Sequence, residues 1–340
     1  MLNHIKNLFR AELTRPTFGN KRFLNKKFNQ TKLGFSKKFY IIKQDFNPNG
    51  LFSNLTFVLD HIDYALRNNF RPVIDMENFL TVYNERKKIF GSYNAWDYYF
   101  EPINKIKLRQ VYKSENFVFS KNFRIKESLI NEDKELNKIF KRFIRVRSEM
   151  KKHLSDIKHK YFKDSKKIMG VHVRGTIQRV VRGHSFPPNP KDLLKEAVKI
   201  YKKTGSQKVF LVTEDDLYLN IFKKFFKKKL IYLRVPRSNP KFYELHNKHF
   251  VDYSRKNHRF KLGREALVDC ILLSETRVNL VTDSNVWRIS TLFSKKKQLR
   301  YQLVTKLNSE NKFIARWKWY FHYYMPYFFG DLSYKIKKLK

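Results

Sequence analysis

The sequence predicts an α/β protein of two halves, each a parallel sheet with helices on its faces. Strand-like and helix-like patterns alternate regularly through the second half, as parallel sheets require. The first half opens with a strand, a glycine turn, a helix and a second strand, and such short connections make a parallel pair with a right-handed crossover. With 340 residues the chain can also form two domains of ordinary size, each with its own core.

In chain order, residues 1–38 read as a basic leader. Phe39 to Asp45, FYIIKQD, reads as the first strand and Asn47 to Gly50, NPNG, as a turn. The next run places Leu51, Leu55, Val58, Leu59, Ile62 and Leu66 at three- and four-residue steps, which predicts one helix with one buried face. Arg71 to Asp75, RPVID, is the second strand. Tyr93 to Ile103, YNAWDYYFEPI, gathers aromatic residues that either cap the first domain or offer a platform for stacking on sugar. The charged stretch from Asn131 to Lys160 has helical spacing, with Ile139, Phe143 and Ile144 on one face, and reads as a bridge. The first domain with its bridge thus spans 39–160.

The second domain spans 161–305. Its expected strands are Ile168 to Arg174, Lys208 to Thr213, Leu230 to Val235 and Val278 to Thr282. The expected helices are Pro190 to Lys203, Leu217 to Phe226 and Gly263 to Glu275. Two such Rossmann-like domains facing a cleft would bind ligand between their strand ends.

Lys+Arg 73 against Asp+Glu 30 leaves a formal charge of +43. That favours anionic partners, whether nucleic acid, acidic lipid or nucleotides. The charge is also spread over lysine-rich helix faces such as Lys223 to Lys229, where solvated side chains account for it equally well. Cys270 is the only cysteine, which excludes an intrachain disulfide and a Cys-based zinc site and suits a reducing compartment. Neither a signal peptide nor an apolar run of spanning length is present, so a cytoplasmic protein is expected. The aromatic and basic segment 306–340, with ARWKWYFHYYMPYFFGDLSYKIKKLK, either packs back as a terminal helix or rests peripherally on a membrane.

Three clusters fall at expected strand ends. IMGVHVRGT delivers His172 and Arg174 on one face of a strand, then Gly175. The guanidinium suits a phosphate or pyrophosphate, or pairs with a surface acid; His172 either touches ligand or sits satisfied in the core. In TEDD, Asp215 or Asp216 caps the next helix or meets ligand at the mouth. In VTDSNVWRIS, Thr282, Asp283, Ser284 and Asn285 precede a helix whose start offers N–H groups to phosphate. Asp269, on the apolar helix ALVDCILLS, needs a partner for its carboxylate.

GVHVRGT at 170–176, FLVTEDD at 210–216 and ALVDCILLSETRVNLVTDSNVWRIS at 266–290 resemble the donor-side motifs of the GT-B fucosyltransferase superfamily. That group includes α1,6-, nodulation and protein O-fucosyltransferases. NGLFSNLTFVLDHIDYALRNNFRPVIDMEN also resembles the opening of their amino-terminal, acceptor-side domain, so the similarity runs in order from about Phe39 to about Ser294. The resemblance implies a glycosyltransferase with GDP-fucose as donor, inversion at the anomeric carbon, no metal and no further cofactor. A glycan acceptor goes with that activity, and a lipid-linked one would suit a segment 306–340 that rests on a membrane.

Residue by residue, the resemblance implies that Arg174 grips the donor pyrophosphate beside His172. Asp269 would bind guanine, Ser284 and Asn285 would meet phosphate next to Thr282, and Gly50 would lie in the loop facing the donor. The chain departs from the pattern where Gly175 replaces a second arginine, where Ile177 replaces an acid, and where the family's candidate catalytic carboxylate falls near Arg182. An inverting transfer needs a base. His184 is the candidate by sequence, with Asp215 and Asp45 as alternatives. Two other classes remain open at this stage: a nucleic-acid-binding protein, and a catalytically inactive relative that binds nucleotide or glycan.

Overall fold

The computed structural model describes residues 38–45, 49–126, 129–162, 164–175, 178, 185–237, 255–307, 309, 311, 313–314, 317–318, 321, 324 and 334–339. The leader before Lys38, Asn47, Thr176, Ile177, Arg182 and His184 lie outside the described residues. The described chain forms two compact units. One is drawn from Glu12–Ser155 with Ser254–Val268, the other from Asp156–Tyr253 with Asp269–Lys340.

The first unit is built on a three-stranded parallel sheet, β1 (Phe39–Ile42), β2 (Arg71–Ile74) and β3 (Phe117–Phe119), in the order β2-β1-β3. Helix α1 (Leu51–Arg67) connects β1 to β2, and its expected stripe of Leu55, Val58, Leu59 and Ile62 is buried. Gly50 starts the helix with its carbonyl, which accepts from Ser53 N at 3.0 Å and Asn54 N at 3.1 Å. Strand β1 stops at Ile42, short of the expected Asp45. Lys43 N turns away from the ladder to donate to Ser120 Oγ at 2.9 Å.

Helix α2 (Leu108–Ser114) and strand β3 were not legible as periodic runs. They are short, and β3 is only partly buried. A buried carboxylate holds α2, since Asp75 accepts from Tyr112 OH at 2.5 Å as well as from Asn78 N at 2.8 Å and Asn78 Nδ2 at 2.9 Å, while β3 is held by its pairing with β1. The expected bridge is two helices, α3 (Lys134–Phe143) and α4 (Ser148–Tyr161). Between them the chain runs extended against the aromatic segment, with Glu101 N donating to Arg145 O at 2.8 Å and Arg147 N to Tyr99 O at 3.0 Å. Trp96, Tyr98, Tyr99 and Phe100 are buried there, so these rings cap the unit and do not form a sugar platform.

The second unit holds a six-stranded sheet in the order β6-β5-β4-β7-β8-β9, with β4 (Ile168–His172), β5 (Lys208–Val212), β6 (Leu230–Ile231), β7 (Val278–Val281), β8 (Leu299–Val304) and β9 (Lys335–Leu339). All pairs are parallel except β8 with β9. Helices α5 (Pro190–Lys203) and α6 (Asp216–Phe226) join the core made by β4, β5 and β7, through Leu193, Ala197 and Phe222. Helix α7 (His258–Glu275) precedes β7, and α8 (Asn285–Phe293) follows it. The chain winds outward from β4 through β5 to β6, then crosses back to lay β7 and β8 on the other side. The point where the order reverses lies between β4 and β7.

Helix α7 begins five residues before the Gly263 expected to start it. Within the first unit, Phe260 N donates to Glu85 Oε1 at 2.9 Å, and Phe260 O accepts from Tyr99 OH at 3.0 Å. Gly263 is where the helix backbone meets the Tyr99 ring, a place without room for a Cβ. That glycine marks a close approach and not a helix end.

Candidate functional site

In an open α/β sheet the crevice outside the carboxyl ends of the strands at the reversal point is where ligands bind. Here those ends belong to β4 and β7. Strand β4 stops at His172, after which Val173 N still reaches Val212 O at 3.1 Å and Arg174 emerges half-exposed. Across the reversal point Thr282 N donates to His172 O at 3.0 Å, which ties the two strand ends together.

Two polar side-chain atoms at these ends are buried without a hydrogen-bond partner: Nδ1 of His172, a residue 2% exposed, and Oγ1 of Thr282, which is 4% exposed. Each such atom costs on the order of 1–3 kcal/mol until water or a ligand gives it a partner. Burial, and then the charge of Arg174, push the His172 imidazole down to about 3. It is therefore a neutral hydrogen-bonding group at any ordinary pH and a poor base.

At the end of β5, Glu214 faces Arg174. Its Oε1 accepts from Gly175 N at 3.1 Å and stands 3.7 Å from Arg174 Nε. Asp215 is 0% exposed and caps α6, accepting from Leu217 N at 2.8 Å. The same carboxylate and the Tyr218 ring occupy the space a Cβ on Gly175 would need, while Tyr218 OH is anchored on Pro188 O at 2.5 Å. A side chain at position 175 would therefore have to displace Asp215 or Tyr218, which gives the glycine a local cause.

Arg237 closes this side. Its buried guanidinium donates to Thr213 O at 3.0 Å, Val235 O at 3.1 Å and Leu233 O at 2.8 Å. Nothing in the sequence separated it from the other cations of a lysine-rich chain. Glu214 was visible as part of TEDD, but its hold on the Arg174–Gly175 loop depends on strand pairing and could not be read.

After β7, Ser284 caps α8 by accepting from Val286 N at 3.0 Å, and Asn285 Oδ1 accepts from Arg288 Nη1 at 3.3 Å. Arg288 also pairs with Asp283, whose backbone carbonyl accepts from Gln178 Nε2 at 3.3 Å. Asp269 is half-buried on α7. Its neighbour Cys270 donates from Sγ to Val286 O at 3.4 Å, so this turn of α7 lies against the first turn of α8. One end of one sheet therefore collects His172, Arg174, Asp215, Thr282, Ser284 and Asn285, with Asp269 on the helix beside it.

Gly50 belongs to the first unit, where a Cβ would meet only Tyr83 OH at 4.0 Å, so packing in that unit does not demand glycine. Asp45 is exposed and engaged by Lys43 at 3.0 Å and by Asn122. His184 lies outside the described residues. Among the described residues no group of three or more His, Cys, Asp or Glu is placed to hold a metal ion, and no helix is long and apolar enough to cross a membrane.

Several solved structures are similar to this chain. A selenomethionine form of the fucosyltransferase NodZ from Bradyrhizobium is 15% identical with a TM-score of 0.52, covering 90% of this chain and 100% of that one. NodZ α1,6-fucosyltransferase soaked with GDP-fucose is 15% identical with a TM-score of 0.52, covering 89% and 100%. The form co-crystallized with GDP is 16% identical with a TM-score of 0.51, covering 80% and 96%. The fold is that of the GT-B fucosyltransferases. No family model matches the chain, and no curated protein matches it. Within this fold the segments after β4 and β7 flank the reversal point of the six-stranded sheet, and the segment after β5 lies one strand further out.

Proposed function

We propose that the protein is a glycosyltransferase that moves fucose from GDP-fucose to a glycan acceptor with inversion at the anomeric carbon. The observation that carries this reading is the pair of unsatisfied buried atoms, His172 Nδ1 and Thr282 Oγ1, flanking the reversal point beside Arg174. The GT-B fucosyltransferase fold supports it.

In this reading the bond from the anomeric carbon to the diphosphate breaks as the acceptor oxygen bonds to the opposite face. The acceptor proton leaves to a base, and GDP departs. Negative charge gathers on the diphosphate as the sugar becomes oxocarbenium-like, so fixed donors aimed there stabilise the transition state more than the ground state. Arg174 supplies the positive charge, and the first-turn N–H groups of α8 with the Ser284 hydroxyl supply hydrogen bonds. Neutral His172 and Thr282 complete the cradle, with Asn285 at its edge. Asp269 accepts from the guanine N–H groups. These donors do the work a divalent cation does elsewhere, and the reading invokes no metal.

Glu214 has a resting role. Its carboxylate holds Arg174 until a diphosphate of greater charge takes the guanidinium over. Asp215 is committed to capping α6 and to packing on Gly175, which leaves His184 as the proposed base. The acceptor proposed is a surface or lipid-linked glycan, met at the cytoplasmic face of a membrane that the segment 306–340 touches peripherally.

A thermal-shift panel of GDP, UDP and CMP tests the donor assignment, since a ligand that binds only the folded state raises the melting temperature. GDP is expected to raise it most, and Asp269→Ala to erase the preference for GDP over UDP. Equal shifts from all three nucleotides would refute the guanine contact.

A further inference from the structure

The six-stranded sheet has two unlike ends. At its carboxyl end the segments after β5 and β7 carry Glu214, Asp215, Asp216 and Asp283, which offset the cations that follow β4, β6 and β8. At its amino end each of the five mutually parallel strands is entered through an exposed cation. In sheet order these are Lys229 before β6, Lys208 opening β5, Lys167 before β4, Arg277 before β7 and Lys297 shortly before β8. Backbone bonds hold the entries side by side: Gln207 N donates to Lys167 O at 2.8 Å, and Leu299 N to Arg277 O at 2.9 Å. With neighbouring strands about 4.8 Å apart, the five cations form a row about 19 Å long. Exposed lysines at 166, 202–203, 227–228 and 295–296 thicken it. Two acids lie in these entry segments and both are engaged, Asp164 by Lys167 at 3.3 Å and Glu275 by Lys158 at 2.5 Å. Helix dipoles favour the lysines that close α5 and α6, but that effect fades within a turn and does not account for Lys166, Lys167 or Lys208. The charge of this unit is therefore sorted to one end of its sheet.

We infer that the amino end of this sheet docks on an anionic lipid bilayer, its lysines on the head-group phosphates. Two features select a bilayer over a nucleic acid. The row is lysine except for Arg277, a set of point charges on long stems that reach a plane of phosphates, without the arginine forks and stacked rings that hold RNA or single strands. The large apolar side chain exposed among these lysines, Phe225 in the last turn of α6, is 52% exposed, and a lone ring of this kind suits a head-group interface better than it makes a stacking platform. A second copy of the chain is disfavoured by like charge. Docked this way, the sheet holds its carboxyl end, with Arg174 and Thr282, about 17 Å above the head groups, the length of the five-residue β5. Lipid and nucleotide then occupy opposite ends of one sheet. The inference rests on residues other than 306–340 and does not depend on the donor reading.

The test is co-sedimentation of the full chain with phosphatidylcholine vesicles, with and without phosphatidylglycerol. The chain is expected to bind the phosphatidylglycerol vesicles and to be released by salt. Lys227→Gln/Lys228→Gln/Lys229→Gln should weaken the partition by about tenfold or more. Lys87→Gln/Lys105→Gln/Lys141→Gln removes the same charge from exposed positions of the first unit and should leave the partition nearly unchanged. Melting temperature with and without GDP, recorded for each variant, shows that the fold is intact and reads the donor site separately. The inference is overturned if the chain stays in the supernatant with both vesicles, or if the sheet-end variant binds as well as the parent. Equal weakening in the two triple variants overturns it too, because overall charge and not the sheet end would then drive binding. So does release of the chain from phosphatidylglycerol vesicles by polyuridylate at equal phosphate concentration, which would make nucleic acid the better partner.

Discussion

At the scale of single residues, His172 sets a pH dependence with a definite sign. Its folded-state pKa of about 3 lies below the ordinary histidine value, so below about pH 6.5 the unfolded chain takes up a proton that the folded chain refuses. Stability is therefore lost as pH falls from about 6.5 towards 3, by about 1.4 kcal/mol per pH unit. Burial raises Asp97 to about 6, which acts in the opposite direction over part of this range. The clean measurement is the difference between the parent and His172→Gln in denaturant unfolding. The parent should lose ground between pH 7 and pH 5, and a constant difference would mean that His172 is not held neutral. Gly175→Ala should cost about 1–3 kcal/mol, since the new methyl meets Asp215 and Tyr218. Asp215→Ala costs about 1 kcal/mol through the lost cap. Combined, the two should cost less than their sum, because the second vacates the space the first needs; strict additivity in the same assay would show that the contact does not matter. That His172, Arg174 and Ser284 gather at one end of a sheet was legible from their positions at strand ends. The reason for Gly175 was not, because it lies in a neighbour on another strand.

At the scale of elements, the long amphipathic runs were legible and the short or edge elements were not. Helix α5 occupies the expected Pro190–Lys203, and the structure adds its cap, with Asn189 Oδ1 accepting from Lys191 N at 2.9 Å. Residues 335–339, read from sequence as part of a terminal helix or a membrane contact, form strand β9 instead, where Ile336 packs on the core while the lysines stay in water, a common way of finishing a sheet edge. Helix α7 shows how a local signal misleads. Gly263 reads as a boundary, whereas the helix runs through it and the glycine leaves room for the Tyr99 ring. Gly263→Ala is accordingly expected to destabilise the protein by about 1–3 kcal/mol, although alanine is the better helix former. A stabilised variant in chemical denaturation would show that the Tyr99 contact is loose. The reversal between β4 and β7 is the element-level fact with the most functional weight. Strand order cannot be read from periodicity, which places strands but does not pair them.

At the scale of the whole molecule, the charge of +43 was the loudest feature of the sequence and the least specific. The structure assigns parts of it. Arg237 is spent on backbone carbonyls, and Arg174 is shared with Glu214 and aimed by the strand that carries it. The lysines of α6 and the turn after it, Lys223 to Lys229, remain a mostly solvated face. Nucleotide binding at the strand ends should therefore survive neutralising that face, whereas it should not survive loss of Arg174. The most direct measurement is calorimetric titration of GDP into the parent, Arg174→Ala and a variant with Lys227, Lys228 and Lys229 changed to Gln. The account predicts binding to the parent and the lysine variant alike, and a loss of about a hundredfold in Arg174→Ala, the worth of charge-assisted hydrogen bonds to a diphosphate. Equal affinity in Arg174→Ala, or a folded parent that takes up no GDP, would contradict it.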